Sequence, residues 1–208
     1  MRFDLTPEDP QRSYKLLTAT VTPRPIAWIS SQSPDGVVNA APYSFFNAMG
    51  HTPPTVAIGL IAHPEKGLKD SVRNILETGE FVVNLVSADL AQAMNQTCTD
   101  APYGVSEIAL AGLTTLPSAH IAPPRIAGAP VALECRRHTV VETGPGQNIV
   151  IGEVLAIHVA DDCVLDADRA YIDTPGLNLI ARLHGSGWYA KNPETFQMAR
   201  PVYRAEQD

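Results

Sequence analysis

Apolar residues in this chain alternate with polar ones over short runs more often than they recur at helical spacing. The stretch "PIAWISSQSPDGVVNAAPYSF" (residues 25–45) reads as two strands joined at Ser33, Pro34, Asp35 and Gly36, which carry the Pro and Asp-Gly signals of a tight turn. "TVAIGLIA" (55–62) reads as a third strand, apolar enough to be buried on both faces. The pattern then switches to helical: Asp70 is placed to cap, Val72, Ile75 and Leu76 share a face, and Gly79 stands where a C-cap belongs. "EFVVNLVS" (80–87) returns as a strand, and "DLAQAMNQTC" (89–98) is a short amphipathic helix.

Residues 100–130 are dense in Pro, Gly and Ala and predict a long ordered loop. "APVALECRRHTVVETG" and "QNIVIGEVLAIHVADD" are two long β segments joined at Gly144, Pro145 and Gly146, and "LNLIARL" (177–183) predicts a helical piece near the end. About six strands, two or three helices and mostly hairpin connections leave no βαβα alternation for a doubly wound sheet. The expected architecture is mainly β (α+β): one domain over residues 1–208, an antiparallel barrel with peripheral helices.

Composition narrows the function classes. The chain has 208 residues, 15 basic against 22 acidic, for a net charge of −7. No basic stripe is present to neutralise phosphates along a nucleic acid or to hold an anionic membrane surface. There is no apolar leader at the N-terminus and no run near the roughly 20 residues that span a bilayer. Cys98, Cys135 and Cys163 are odd in number and widely spaced, which fits reduced thiols and a cytoplasmic location better than disulfides. The six histidines show no metal-ligand spacing, so no metal site is expected.

Nucleotide-fold, P-loop, zinc-hydrolase and nucleophile-elbow motifs are all absent. What remains are four segments. In "TPRPIAWISS", Arg24 sits between two prolines, and Trp28 and Ser30 share one strand face. In "NAAPYSFFN", Ala40 and Ala41 allow close backbone approach, Pro42 removes a donor, and Ser44 and Asn47 stand among aromatics. In "GLKDSVRNI", Lys69 and Ser71 flank a helix start whose unpaired N–H groups attract anions, while a capping Asp70 would occupy those same donors. In "ARLHGSGWYA", glycines hinge His184 against Trp188 and Tyr189. Each segment alone is equally compatible with plain core, cap or tail. Alternation along residues 43–46 predicts Phe45 pointing inward and Ser44 outward.

Taken together and in this order, "VTPRPIAWISS", "DGVVNAAPYSFFNAMGHTPPTVAIGL", "KDSVRNILETGEFVVNLV" and "LNLIARLHGSGWYA" resemble the flavin reductase-like, FMN-binding split-barrel family, over about residues 15–190. The resemblance implies a six-stranded antiparallel split β-barrel with Greek-key connections, working as a homodimer. It implies FMN as cofactor, with the ring lined by the backbone of Trp28, Ile29 and Ser30 and by Ala41, Pro42 and Tyr43. The ribityl phosphate would be held by Ser44, Lys69, Asp70 and Ser71, with Asn47 and Arg24 nearby. His184 is the candidate on the nicotinamide side. The implied activity is hydride transfer from NAD(P)H to flavin, with a flavin-dependent monooxygenase as a possible partner. The alternative is an FMN-binding electron carrier or storage protein that does not oxidise NAD(P)H.

Overall fold

The computed structural model describes residues 1–63, 67–99, 101–102, 104–191 and 194–203. It opens with α1 (Pro10–Thr20), a helix beyond those expected, although its local signature is present in the sequence. The Asp9 carboxylate accepts from the Arg12 amide at 2.9 Å, and Pro10 takes the first helical position. Then follow β1 (Arg24–Pro25), β2 (Ala27–Gln32), β3 (Val38–Tyr43), β4 (Phe46–His51), β5 (Pro54–Ile61), α2 (Asp70–Thr78), β6 (Glu80–Leu85) and α3 (Ala91–Gln96). The loop region contains only α4 (Glu107–Leu110), β7 (Thr115–Leu116) and β8 (Arg125–Ile126). The long hairpin of β9 (Val131–Gly144) and β10 (Gln147–Val159) precedes β11 (Val164–Asp166), β12 (Tyr171–Ile172), β13 (Ile180–Arg182) and β14 (Tyr189–Lys191).

The fold is mainly β with few helices. Its principal sheet is antiparallel and has seven strands, in the order β3-β2-β6-β9-β10-β5-β4, where six were expected. The difference lies at residues 44–45, where one extended run bends. Its first half, β3, pairs with β2, and its second half, β4, pairs with β5. The two ends of the sheet are therefore consecutive in sequence, and the sheet curls onto itself. The bend is fastened by the Gly59 amide, which donates to the Phe45 carbonyl at 2.7 Å. A Cβ at Gly59 would lie 2.9 Å from the Phe45 Cβ, so only glycine permits this approach. β6 returns through α2 to lie beside β2, the Greek-key step.

Phe45 does not enter the core as alternation predicts. The bend turns it onto Gly59 and towards Tyr14 of α1, with ring centroids 6.1 Å apart, while Phe46 packs on the main core. β5 is not buried on both faces, whereas β2 and β6 are. Ala27 and Ile29 join the cluster with Val56, Ile58, Phe81 and Val150, while Trp28 joins a second cluster with Ile26, Met94, Ile108 and Ile180. On β5, Val56, Ile58 and Leu60 are buried and the alternate positions are more open, with Phe45 lying on that outer face at Gly59.

"LNLIARL" is not helical. Residues 180–182 form β13, which pairs with both β1 and β14, so that strand partners supplied by the fold override a weak local helical period. Arg24 of β1 fixes this corner: it is buried, and its guanidinium donates to the carbonyls of Thr18 (2.7 Å), Val21 (2.6 Å) and Leu183 (2.8 Å). α2 begins at Asp70 itself, one residue earlier than a capping Asp70 would place it, and closes on Gly79 as a left-handed C-cap, as expected. Asn74 on its buried face donates to the Ser31 hydroxyl of β2 at 3.1 Å.

A buried carboxylate organises the 118–120 loop. Glu134 of β9 accepts from the amides of Ala119 (2.7 Å) and His120 (2.8 Å) and from the His158 ring at 2.6 Å. Burial would raise its pKa, but those donors outweigh burial and hold it below the ordinary value.

Replacing Gly59 with Ala is expected to lower stability by about 1–3 kcal/mol, because the added methyl overpacks the bend; urea unfolding equal to wild type would contradict the closure. Since its folded pKa is depressed, Glu134 adds stability above the ordinary carboxylate pKa and loses it as pH falls through the folded value. Glu134→Gln should therefore be less stable at neutral pH, with a weaker loss of melting temperature on acidification; an unchanged acid limb would refute this role.

Candidate functional site

A cleft of about 410 Å³ opens between the end of β3, the start of α2, the segment after α3 and α4. Ala41 and Pro42 of β3, Lys69, Asp70 and Ser71 at the helix start, Thr97 and Cys98 after α3, and Glu107 of α4 line it. The N-cap position is Lys69, not Asp70, and no side chain caps the helix. The Asp70 carboxylate turns away from the helix end to accept from Asn39 Nδ2 and the Gly104 amide, both at 3.1 Å. The competition expected from a capping carboxylate is thus removed. An uncapped helix start with Lys69 and a buried Ser71 beside it is an anion-binding arrangement.

Of the residues singled out from sequence, Ala41, Pro42, Lys69, Asp70 and Ser71 line this cleft together. Tyr43 lies just behind it. Its hydroxyl is buried next to Ser71 without a hydrogen bond of normal geometry among the described residues, and burial pushes the phenol up to about 12. Trp28, Ile29 and Ser30 are fully buried in β2, with their backbone paired to β3 on one side and β6 on the other. The Ser30 hydroxyl donates to the Pro124 carbonyl at 2.6 Å and accepts from Asn84. Trp28 acts from behind the wall: its indole N–H donates to the Thr97 hydroxyl at 2.9 Å, fixing a residue that lines the cleft.

The remaining candidates lie elsewhere. Ser44 sits at the bend, 3.4 Å from Arg24 Nε, whose guanidinium is engaged as described. Asn47 is exposed on β4, and its side chain accepts from the Ala48 amide. His184 is exposed in the β13–β14 turn, stacked on Trp188 at 6.1 Å, and lines no described cleft. That hairpin and α3 border a second cleft of about 470 Å³, with Gln92, Tyr189 and Lys191 on its walls.

Cys98 and Glu107, which line the first cleft, and Asn39, which bonds to Asp70 beside it, carry no site signal in the sequence. Asn39, Cys98 and Glu107 come together only through the fold, although Asn39 opens the aromatic-rich stretch. Burial raises the Cys98 thiol against the pull of Lys69 and Arg182. Burial also raises the Glu107 carboxyl, helped by the nearby Asp70 charge and opposed by hydrogen bonds from the backbone and Asn39. Among the described residues no cluster of three metal-ligating side chains occurs, and no helix is long and apolar enough to cross a membrane.

Residues 19–175 match the flavin reductase like domain. The chain belongs to the flavin reductase-like family. Among relatives of this family, an uncharacterized protein of Deinococcus radiodurans is 42% identical over 99% of this chain and 92% of its own length. Nitrilotriacetate monooxygenase component B from Bacillus cereus superposes with a TM-score of 0.87 at 34% identity, covering 95% of this chain and 99% of that one. The 2-nitrobenzoate 2-nitroreductase of Pseudomonas fluorescens gives a TM-score of 0.85 at 30% identity, over 98% and 99% of the two chains. A flavin reductase-like protein from Shewanella frigidimarina, described as having a split barrel domain, shares the fold at a TM-score of 0.80 and 19% identity, over 96% and 100% of the two chains.

Asp70→Ala should release the Gly104 amide and Asn39 together, loosening one wall of the cleft of this flavin reductase-like protein. Hydrogen exchange at Gly104 is expected to quicken about tenfold, consistent with one lost charge-assisted bond; unchanged protection there would show that Asp70 does not hold the wall.

Proposed function

We propose that this protein is an FMN-dependent oxidoreductase in which the 410 Å³ cleft holds the cofactor. The observation that carries the reading is the uncapped start of α2 with Lys69 and Ser71, set in a cleft walled by Ala41 and Pro42, in a flavin reductase-like chain. The donor set fits a flavin mononucleotide. A phosphate dianion needs backbone N–H groups, a cation and a hydroxyl in one place, and the far wall offers apolar surface for a planar ring.

A bound flavin would supply the redox chemistry, accepting hydride from NADH or NADPH. The chain's own work is then to bind and orient. Lys69 and Ser71 hold the phosphate, the Asp70 bridge to Asn39 and Gly104 keeps the entrance in shape, and Trp28 steadies Thr97 behind the wall. The likeness to a monooxygenase component B supports delivery of reduced flavin to a monooxygenase partner. We assign the exposed β4 edge, where Met49 is 58% exposed, to a second copy of the chain, giving a homodimer.

The test is FMN titration followed by anaerobic addition of each nicotinamide. FMN should bind, and its absorbance near 450 nm (a general flavin property) should bleach with NADH or NADPH. Lys69→Ala with Ser71→Ala should weaken FMN by about 2 kcal/mol or more, since hydrogen bonds to charged groups contribute about 1.5–3 kcal/mol each. Equal affinity in the double variant would remove the phosphate from α2. Tight FMN binding with no bleaching by either nicotinamide would instead indicate an electron-carrying flavoprotein.

A further inference from the structure

Glu107 presents an oddity that the phosphate site does not explain. Its Oε2 is buried and has no hydrogen-bond partner among the described residues, although the residue lines the cleft. Asn39 and the Ala40 backbone lie close enough to the carboxyl to lower its pKa against burial. Ser106, one residue earlier, anchors the segment by donating its hydroxyl to the Val38 carbonyl. The segment that carries the carboxyl is therefore anchored, and one carboxyl oxygen is left without a donor among the described residues. A buried carboxylate oxygen without a donor is costly, so such a group points to a donor supplied by a ligand.

The position of the carboxyl defines which donor. It lies close enough to Asp70, the first residue of α2, for the two charges to interact. A dianionic phosphate would be repelled by a carboxylate, so Glu107 does not serve the phosphate itself. What it meets must be a neutral donor a short distance from the phosphate.

We propose that Glu107 Oε2 accepts a hydrogen bond from a hydroxyl on the chain that joins the ring of the ligand to its phosphate, so that the cleft selects a hydroxylated phosphate ester over a bare phosphate or a plain alkyl one. The proposal rests on the reading of this cleft as a flavin phosphate site. Among the described residues, the charged or titratable groups that share the cleft with Glu107 are His63, Lys69, Asp70, Arg73 and Cys98, with the Tyr43 phenol just behind it. The Tyr43 phenol is a neutral donor near Glu107, but among the described residues neither its hydroxyl nor Glu107 Oε2 has a hydrogen-bond partner, so the two do not satisfy each other.

A cycle between protein and ligand separates this contact from general effects. The probes are FMN and a synthetic flavin phosphate in which a plain pentyl chain replaces the hydroxylated one; the proteins are wild type, Glu107→Ala and Glu107→Gln. Calorimetric titration should show Glu107→Ala weakening FMN about tenfold while leaving the pentyl analogue within twofold. Glu107→Gln, whose amide oxygen still accepts, should recover FMN to within about threefold of wild type, with melting temperatures confirming that both variants fold. An equal loss on both ligands, or a loss on neither, overturns the assignment to a hydroxyl. If wild type binds neither flavin, the flavin reading of the cleft fails first, and this contact falls with it.

Discussion

Closure of the sheet at residues 44–45 is the constraint on which the rest depends. The extended run from β3 to β4 serves both ends of the sheet, and it can do so only if the bend lies flat on Gly59. Because β3 is bound to β2 at one side and ends at this bend, its last residues are presented beside the start of α2. That juxtaposition makes the cleft: Ala41 and Pro42 from the strand, Lys69 to Ser71 from the helix. The Arg24 guanidinium secures the outer side of the same corner by joining α1, β1 and the turn after β13.

Function follows from how the polar groups around that corner are distributed. Asp70 could have capped its own helix and so occupied the N–H groups that the proposed phosphate site needs. Asn39 and the Gly104 amide draw it aside instead, so one carboxylate both ties down the wall and leaves the helix N–H groups available to a phosphate. Groups that looked like ligand contacts in sequence work one layer back. Trp28 and Ser30 spend their polar atoms on Thr97 and Pro124, and their bulk fills the second core. The aromatic-rich stretch is shared in the same way, with Phe46 in the core, Phe45 on the bend and Pro42 on the cleft.

Local signals made much of this legible in advance. The turn at residues 33–36, the long hairpin around Pro145 and the glycine end of α2 are fixed by short-range chemistry, and the sequence reading places them correctly. That Lys69, Ser71, Ala41 and Pro42 share one site is implied by the resemblance to the flavin reductase-like family, and the fold does bring them to one cleft. What escaped the local signals depends on long-range contact. The helical period of "LNLIARL" gives way to pairing with β1, and the capping role of Asp70 gives way to Asn39, 31 residues earlier. Glu107 sits in a stretch that reads as featureless loop, and only the fold carries it to the cleft. α1 is the exception: Asp9 and Pro10 announced it locally, but its weakly apolar face, with Tyr14 and Leu17 exposed, gave no periodic stripe to match.

The central claim is that the start of α2 receives the phosphate of a flavin. Amide chemical shifts recorded while FMN is titrated into isotopically labelled protein test it most directly. The account predicts that the amides of Asp70, Ser71 and Val72 move most, together with Ala41 and Gly104 around the same cleft. Shifts centred instead on Gln92, Tyr189 and Lys191, around the second cleft, would contradict it.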